Sequence, residues 1–400
     1  MSGFRRHLMG TIATQRQYIE GYCNVANSTF TFELTYSNDY ITPGLQTITV
    51  NTDANGYWRY YTDGYYISSY SYMFSHQSQS ESDKLVSVRF SDNWKIGKGA
   101  YATTTATFGQ YANDQAGTFA CTNLKSVKGW KVKSSGFHSL CRLCTSLEEF
   151  DTSGLYQRAV GNVTMSYMFN NTKIKRLEFP NPMQASSISN ICSQNREDLT
   201  YVDLSNVDLS ICTNCSGAFS GCYYLEEMIW NLNTSLSSSA INFNSLFRDC
   251  FSLKYNNSNY LEVSGATASS VNFMYGCNST SAYNNYQAAT GNTPFYQLTT
   301  ISIPNMPNGI DTSSAIARYN TRVTDIVSCG NISNDISLSY CSLLTRASVE
   351  LVINKLQNVT SYGGCHIAFH NTILNMIRND AALMTIVTSK QAIGWIFDNL

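Results

Sequence analysis

The chain has 400 residues and a formal net charge of −1 at pH 7, and hydrophobic residues make up 43% of it. Charged residues make up only 13%, about half the usual share, and Ser, Thr, Asn and 27 Tyr residues fill polar positions instead. This balance excludes a disordered chain and argues against a nucleic-acid partner, which needs clustered Lys and Arg. No apolar run approaches the roughly 18 residues of a membrane-spanning helix, so we expect no membrane insertion.

Residues 1–26 form the first predicted unit, a leader that begins MSGFRRHLMG and has no apolar run of secretory length. We therefore expect synthesis in the host cytoplasm without a signal peptide. Phe4, Leu8 and Met9 have too little apolar surface to bury on their own. We expect them to enter apolar pockets of a partner, with Arg5 and Arg6 on carboxylates or carbonyls around those pockets. The alternative is that the leader packs on the unit that follows it.

Residues 27–66 are predicted to form a small antiparallel β unit. Phe30 and Phe32 belong to a run that alternates with polar residues, and Asn55-Gly56 between alternating runs indicates a hairpin. Four aromatic residues then crowd the end of the unit, and they are candidates for stacking on sugar rings: Tyr57, Trp58, Tyr60 and Tyr61. The alternative is that these side chains fill the boundary between the β unit and the first repeat.

Residues 67–330 carry an internal repeat in which an aromatic residue, Cys, Leu and another apolar residue recur at three-residue spacing. One copy ends in Cys222, Leu225 and Met228, and the next has Cys250 and Leu253. One copy cannot bury its apolar face alone, so successive copies must stack. The repeat predicts an α+β, leucine-rich-repeat-like solenoid, preceded by the β unit and closed by an αβ cap.

The motif MFxxCxxL and the segment LTYVDLS at residues 199–205 resemble the BspA-like, Treponema/Mycoplasma-type leucine-rich repeats. That resemblance implies a right-handed solenoid of the kind found in bacterial surface proteins and in viruses of gut Bacteroidales, usually implicated in adhesion. The leader segment GFRRHLM at residues 3–9 resembles short leaders on virion proteins of crAss-like Bacteroidales phages. Members of the bacterial family are typically exported, whereas a virion protein released by lysis needs no export signal.

Together the two resemblances imply a virion structural or decoration protein, fibre-like and placed on the head or the tail. The leader would bind other virion proteins, and the repeat surface would bind host or gut glycans or proteins, in a chain that can also form a homo-oligomer. The alternative is a bacterial cell-surface adhesin exported by another route. A glycan depolymerase is the less favoured third hypothesis.

Residues 331–400 are predicted to cap the repeats, and their sequence resembles the C-terminal cap of the same family. Thr345 is a candidate helix N-cap, because apolar residues follow it at helical spacing. We expect a strand at residues 365–369, a short helix near residues 373–377 and a final strand at residues 393–397.

Two short motifs imitate metal sites. His366 and His370 have HxxxH spacing, but Ile367 stands where a zinc protease needs Glu. Two CxxC pairs, at residues 141–144 and 212–215, lie far apart in the sequence, which favours buried packing of thiols. We expect no metal, no cofactor and no catalytic residue. Four lysines around Trp130 are interpreted as a solvated face, with a polyanion site as the alternative: Lys125, Lys128, Lys131 and Lys133.

Overall fold

The computed structural model describes residues 16–36, 44–62, 74, 78–92, 102–103, 108–109, 119–157, 163–196, 198–229, 240–253, 268–270, 299–309 and 322–400. The predicted docking residues of the leader lie outside these ranges: Phe4, Arg5, Arg6, Leu8 and Met9.

The strands of the described ranges are, in chain order, β1 (Gln17–Cys23), β2 (Thr29–Tyr36), β3 (Gly44–Asn51), β4 (Tyr57–Thr62), β5 (Leu85–Phe90), β6 (Ala102–Thr103), β7 (Ser126–Lys128), β8 (Val132–Gly136), β9 (Glu149–Phe150), β10 (Leu155–Gln157), β11 (Val163–Thr164), β12 (Arg176–Glu178), β13 (Met183–Ser187), β14 (Tyr201–Asp203), β15 (Val207–Asp208), β16 (Glu227–Ile229), β17 (Ile241–Asn242), β18 (Ala268–Ser270), β19 (Thr300–Ile303), β20 (Asp325–Cys329), β21 (Ile336–Leu338), β22 (Cys365–Phe369) and β23 (Trp395–Phe397). The helices are α1 (Gln79–Ser82), α2 (Arg346–Lys355), α3 (Asn371–Asn379) and α4 (Ala381–Gln391). Within the described ranges, no helix is long and apolar enough to cross a membrane.

The N-terminal strands belong to a five-stranded sheet of order β4-β1-β5-β7-β9, in which β1 is antiparallel to both of its neighbours. The prediction that residues 1–26 are separate from the fold is therefore wrong for residues 17–23. Ile19, Gly21 and Cys23 are buried and alternate with exposed or half-buried residues, as a strand with one face on the core requires. Gly21 is needed here, because a Cβ at this position would lie 2.1 Å from the carbonyl oxygen of Ser87.

The alternating residues of the predicted β unit form strands, and the structure shows how these strands pair. Strands β2 and β3 pair in antiparallel register over their whole lengths. The hairpin predicted at Asn55-Gly56 is wrong, because β4 pairs with β1 and not with β3. The Asp53 carboxylate accepts hydrogen bonds from the backbone N–H groups of Asn55 at 2.8 Å and Tyr57 at 2.9 Å. This turn, with Gly56 at φ 78°, carries the chain from one sheet to another.

The apolar positions of the repeat point inward, as predicted. Phe219, Cys222 and Leu225 are fully buried in one copy. The Cys222 thiol donates a hydrogen bond to the backbone carbonyl of Cys192 at 3.1 Å, and the Cys250 thiol donates to Phe219 at 3.1 Å. Each of these cysteines therefore bonds a carbonyl oxygen of the preceding copy, in a space that a larger side chain would overfill.

Five turn segments, which we call the turn ladder, join successive copies through parallel backbone hydrogen bonds: residues 137–143, 165–171, 188–194, 215–221 and 242–248. Alternate N–H groups of one segment donate to alternate carbonyls of the next. Cys215, for example, donates to Asn242 at 2.9 Å, and Gly221 donates to Arg248 at 2.8 Å. Successive copies of the repeat are therefore joined by hydrogen bonds between their turns more than by hydrogen bonds between their strands.

The predicted leucine-rich-repeat-type solenoid is nevertheless wrong. The described residues form a mixed α/β arrangement with several small sheets of two to six strands and few helices, and none of these sheets runs through all the copies of the repeat. Several strands within the copies, such as β9, β11 and β15, have only two residues. Within the described ranges, no sheet joins residues 331–400 to the copies between residues 119 and 253, so the predicted cap on a continuous stack is not observed there.

The C-terminal elements were predicted more closely. Helix α2 begins after Thr345, whose side chain accepts a hydrogen bond from Ser348 N–H, and β22 covers the predicted residues. Strands β21, β22 and β23 form a parallel sheet. Helix α4 was missed, because its apolar residues lie all around the helix and do not form one stripe; Leu383 and Val387 are the buried ones.

We predict that Leu225→Asp destabilises the protein by about 3–5 kcal/mol, because it buries a carboxylate with no partner. Leu225 is fully buried, whereas Thr213 in the same copy is exposed, so Thr213→Asp is the matched control. Denaturant unfolding measures both variants. An unchanged midpoint for Leu225→Asp would show that this position does not face the core.

Candidate binding face

Six side chains lie on the outer face of β1 and β4, and we call them the tyrosine face: Tyr18, Glu20, Tyr22, Tyr57, Arg59 and Tyr61. The antiparallel register places them in three directly opposed pairs, Tyr18 with Tyr61, Glu20 with Arg59, and Tyr22 with Tyr57. Side chains alternate between the two faces of a strand, so these six share one face. An ion pair thus lies between two pairs of aromatic rings.

The ion pair at the centre is held by several hydrogen bonds. Arg59 Nε donates to Glu20 Oε2 at 2.9 Å, and Arg59 Nη2 donates to the same oxygen. The Tyr57 hydroxyl also donates to Glu20 Oε2, at 2.8 Å, while Arg59 Nη1 donates to the Tyr61 hydroxyl at 3.2 Å. Glu20 Oε1 receives no hydrogen bond from the described part of the chain. One carboxylate oxygen therefore lacks a donor among these residues, in a side chain that is 14% exposed.

The guanidinium and the rings support each other. Arg59 Cζ lies 4.6 Å from the centroid of the Tyr18 ring and 5.8 Å from that of Tyr61, within the range of cation–π contacts. The ring centroids of Tyr22 and Tyr57 are 5.4 Å apart. Burial, and then the hydrogen bond to Glu20, raise the pKa of Tyr57 to about 12. Its phenol therefore stays protonated and continues to donate at neutral pH.

The four aromatic residues predicted to stack on a ligand do not act together. Tyr57 and Tyr61 lie on the tyrosine face, where Tyr61 is 45% exposed and Tyr57 is half-buried. Trp58 and Tyr60 lie on the opposite face, where Trp58 is 1% exposed and Tyr60 is half-buried. The Trp58 ring packs against Phe30 and Phe32, with centroids 5.7 and 5.3 Å away. Trp58 therefore fills the core, and Tyr60 packs against it.

Sequence analysis missed Tyr18 and Tyr22. They lie in the segment assigned to the leader, and Tyr22 is 48% exposed. The signal that could have found them is the alternation of Tyr18, Glu20 and Tyr22 with the apolar residues of β1, which has the same period of two that identified β2.

Charged side chains on the neighbouring strands are paired. Arg89 Nη2 lies 3.5 Å from an oxygen of Asp92, and Lys128 Nζ lies 2.8 Å from an oxygen of Glu149. The Lys131 ammonium donates to the backbone carbonyl of Asp92 at 2.8 Å. Two of the four lysines around Trp130 are therefore engaged within the protein.

A cleft of about 550 Å³ lies at the carboxyl ends of β9, β12 and β14. Asp151 in this cleft accepts hydrogen bonds from the N–H groups of Ser153 at 3.0 Å and Gly129 at 3.2 Å. Burial opposes ionisation of Asp151, but the hydrogen bond from the Ser153 hydroxyl, together with these two N–H groups, outweighs it and lowers the pKa of Asp151. Glu178 accepts from Arg176 at 2.7 Å. Asp151 is thus poorly suited to be the proton donor that glycoside hydrolysis requires.

The two motifs that imitate metal sites have structural roles. The ring of His366 is hydrogen-bonded to Asp398 at 2.8 Å, and the side chain of His370 caps helix α3. The thiols of Cys212 and Cys215 are buried and lie 3.5 Å apart. In the described ranges, no group of three or more His, Cys, Asp or Glu residues is arranged to hold a metal ion.

Comparisons with known proteins give no relative for this chain: no family model, no curated protein and no solved structure matches it.

The two faces of β4 differ in burial, and we predict that substitutions on them differ in their effect on stability. Trp58→Ala should cost about 3–5 kcal/mol, because it leaves a cavity in the aromatic core. Tyr61→Ala should cost less than about 1 kcal/mol, because Tyr61 is 45% exposed and its contacts lie on the surface of the sheet. Denaturant unfolding of the two variants measures the difference; equal losses would mean that the assigned faces are wrong.

A second prediction concerns pH. The hydrogen bond to Asp398, reinforced by the charges of Asp398 and Asp335, raises the pKa of His366. The interaction of protonated His366 with Asp398 therefore stabilises the folded state fully below the ordinary histidine pKa of about 6.5. This stabilisation is lost as the pH rises through the raised pKa of His366. Because His366 is exposed, we expect less than about 1 kcal/mol. Denaturant unfolding at pH 5.5 and 8.5 measures the midpoints of the parent and of His366→Asn. The parent should have the higher midpoint at pH 5.5, and the two midpoints should be equal at pH 8.5. A difference between the two proteins that grows with pH would contradict this assignment.

Proposed function

We propose that this chain is a non-catalytic binding protein that uses the tyrosine face to attach to a cell surface, and that it is a structural or decoration protein of a phage particle. The observation that carries the binding function is the tyrosine face itself. Exposed tyrosines are enriched at recognition surfaces because they offer a large rigid contact area together with a hydroxyl.

The geometry of this face favours binding over catalysis. Glu20 and Arg59 are tied to each other and to two tyrosine hydroxyls, so the ion pair is organised before any ligand arrives. Preorganised side chains lose little entropy on binding.

The assignment to a virion rests on the resemblance of the leader to those of crAss-like phages. Under this proposal, Phe4, Leu8 and Met9 bind other virion proteins, and the folded part projects away from the particle. The bacterial adhesin remains the second candidate. It shares the binding function and differs in where the protein resides.

Binding to intact bacterial cells tests the first part of the proposal. The double variant Tyr22→Ala/Tyr61→Ala should lose at least tenfold in affinity, while Tyr362→Ala should bind like the parent. Tyr362 is a suitable control because it is 52% exposed and lies in the C-terminal part of the chain. Equal binding by the double variant and the parent would refute the role of the tyrosine face, and release of reducing sugar ends would favour the depolymerase.

Removal of residues 2–15 tests the second part, because it spares strand β1. The truncated protein should fold and bind cells like the parent but should no longer join phage particles. Normal incorporation of the truncated protein would contradict docking through the leader, and recovery of the parent protein in cell envelopes without particles would favour the adhesin.

A further inference from the structure

We infer that the ligand of the tyrosine face is a neutral oligosaccharide that covers both aromatic pairs and places vicinal hydroxyl groups on the Glu20–Arg59 pair between them. This inference rests on the proposed binding function and adds the chemical class of the ligand. Three features of the described residues carry it: the spacing of the rings, the hydrogen-bonding groups left open at the centre, and the balance of charge.

The spacing of the rings requires a ligand longer than one sugar. Tyr18 and Tyr22 are four residues apart on β1, which corresponds to about 13 Å along a strand. Stacked rings contact each other over centroid distances of only about 4.5–7 Å. One sugar ring therefore cannot reach both aromatic pairs, whereas a short chain of sugars lying along the strand direction can.

The centre of the face offers what a pair of hydroxyl groups needs. The Glu20 Oε1 atom accepts no hydrogen bond within the described part of the chain, and the Glu20 side chain is 14% exposed, so we assign this atom as the acceptor for a ligand hydroxyl. A guanidinium carries five N–H donors, and the Arg59 bonds to Glu20 and Tyr61 use three of them. A hydroxyl group is both donor and acceptor. Two adjacent hydroxyl groups can therefore donate to Glu20 and accept from Arg59 at the same time.

The charge of the face favours a neutral ligand. Arg59 is paired with Glu20, Arg89 lies beside Asp92, and Lys128 is paired with Glu149. A polyanionic glycan would have to compete with these carboxylates for the cations. A neutral saccharide can use the rings and the polar centre without breaking an ion pair.

The test uses the full-length protein and an array of neutral and acidic glycans from one to six sugar units. We expect binding to neutral glycans, with affinity rising from the monosaccharide until both aromatic pairs are covered and constant beyond that length. Isothermal titration with the best neutral glycan then compares variants. Tyr22→Ala should weaken binding about tenfold, Tyr22→Phe should retain it because the ring is kept, and Tyr362→Ala should leave it unchanged.

Binding confined to acidic glycans, affinity that does not depend on chain length, or equal affinities for Tyr22→Ala and the parent would each overturn the inference, as would the absence of any bound glycan. These outcomes are separable from failure of the proposed function. Cell binding that depends on Tyr22 and Tyr61 but without glycan binding would retain the function and reject this ligand. Cell binding independent of both residues would reject the function itself.

Discussion

Parallel backbone hydrogen bonds between successive turns are the interaction on which the middle of this structure depends. A single copy of the repeat exposes the apolar side of Phe219, Cys222 and Leu225, and it can bury them only against its neighbours. The turn ladder fixes the register of those neighbours. It also holds Tyr167 and Gln194 at φ 59° and 67°, a left-handed conformation that costs a side-chain-bearing residue about 1–2 kcal/mol. The ladder and the buried side chains together offset that cost.

The same packing creates the two different faces of the N-terminal sheet. Strands β7 and β9 come from the repeat, yet they extend the sheet that contains β1 and β4. Their inner side continues a series of aromatic contacts in which Trp130 approaches Phe108 and Phe150. Large rings fill the inner side, and the register of β1 and β4 places their outer tyrosines in directly opposed pairs. A binding surface on paired strands can thus be rigid without a ligand.

The sequence predicted those features that depend on local patterns. The buried positions of the repeat and the N-cap at Thr345 were recognised from spacing, and strand β22 was also predicted. The fold class was not, because short strands and turns with Tyr, Gln or Ser in left-handed conformations leave no signature that distinguishes paired turns from a continuous sheet. The tyrosine face was only half recognised. Tyr57 and Tyr61 were identified, but their partners across the strand pair come from a segment more than thirty residues away, and only the register brings them together.

The central claim is that the protein meets a cell surface through the outer side of β1 and β4. Hydroxyl-radical footprinting of the protein, free and bound to bacterial cells, tests it most directly, because mass spectrometry reports the oxidation of each tyrosine. The account predicts that Tyr22 and Tyr61 become protected on binding, while Tyr362 is oxidised equally in both states. Protection of Tyr362 with no change at Tyr22 and Tyr61 would place the contact elsewhere and contradict the account.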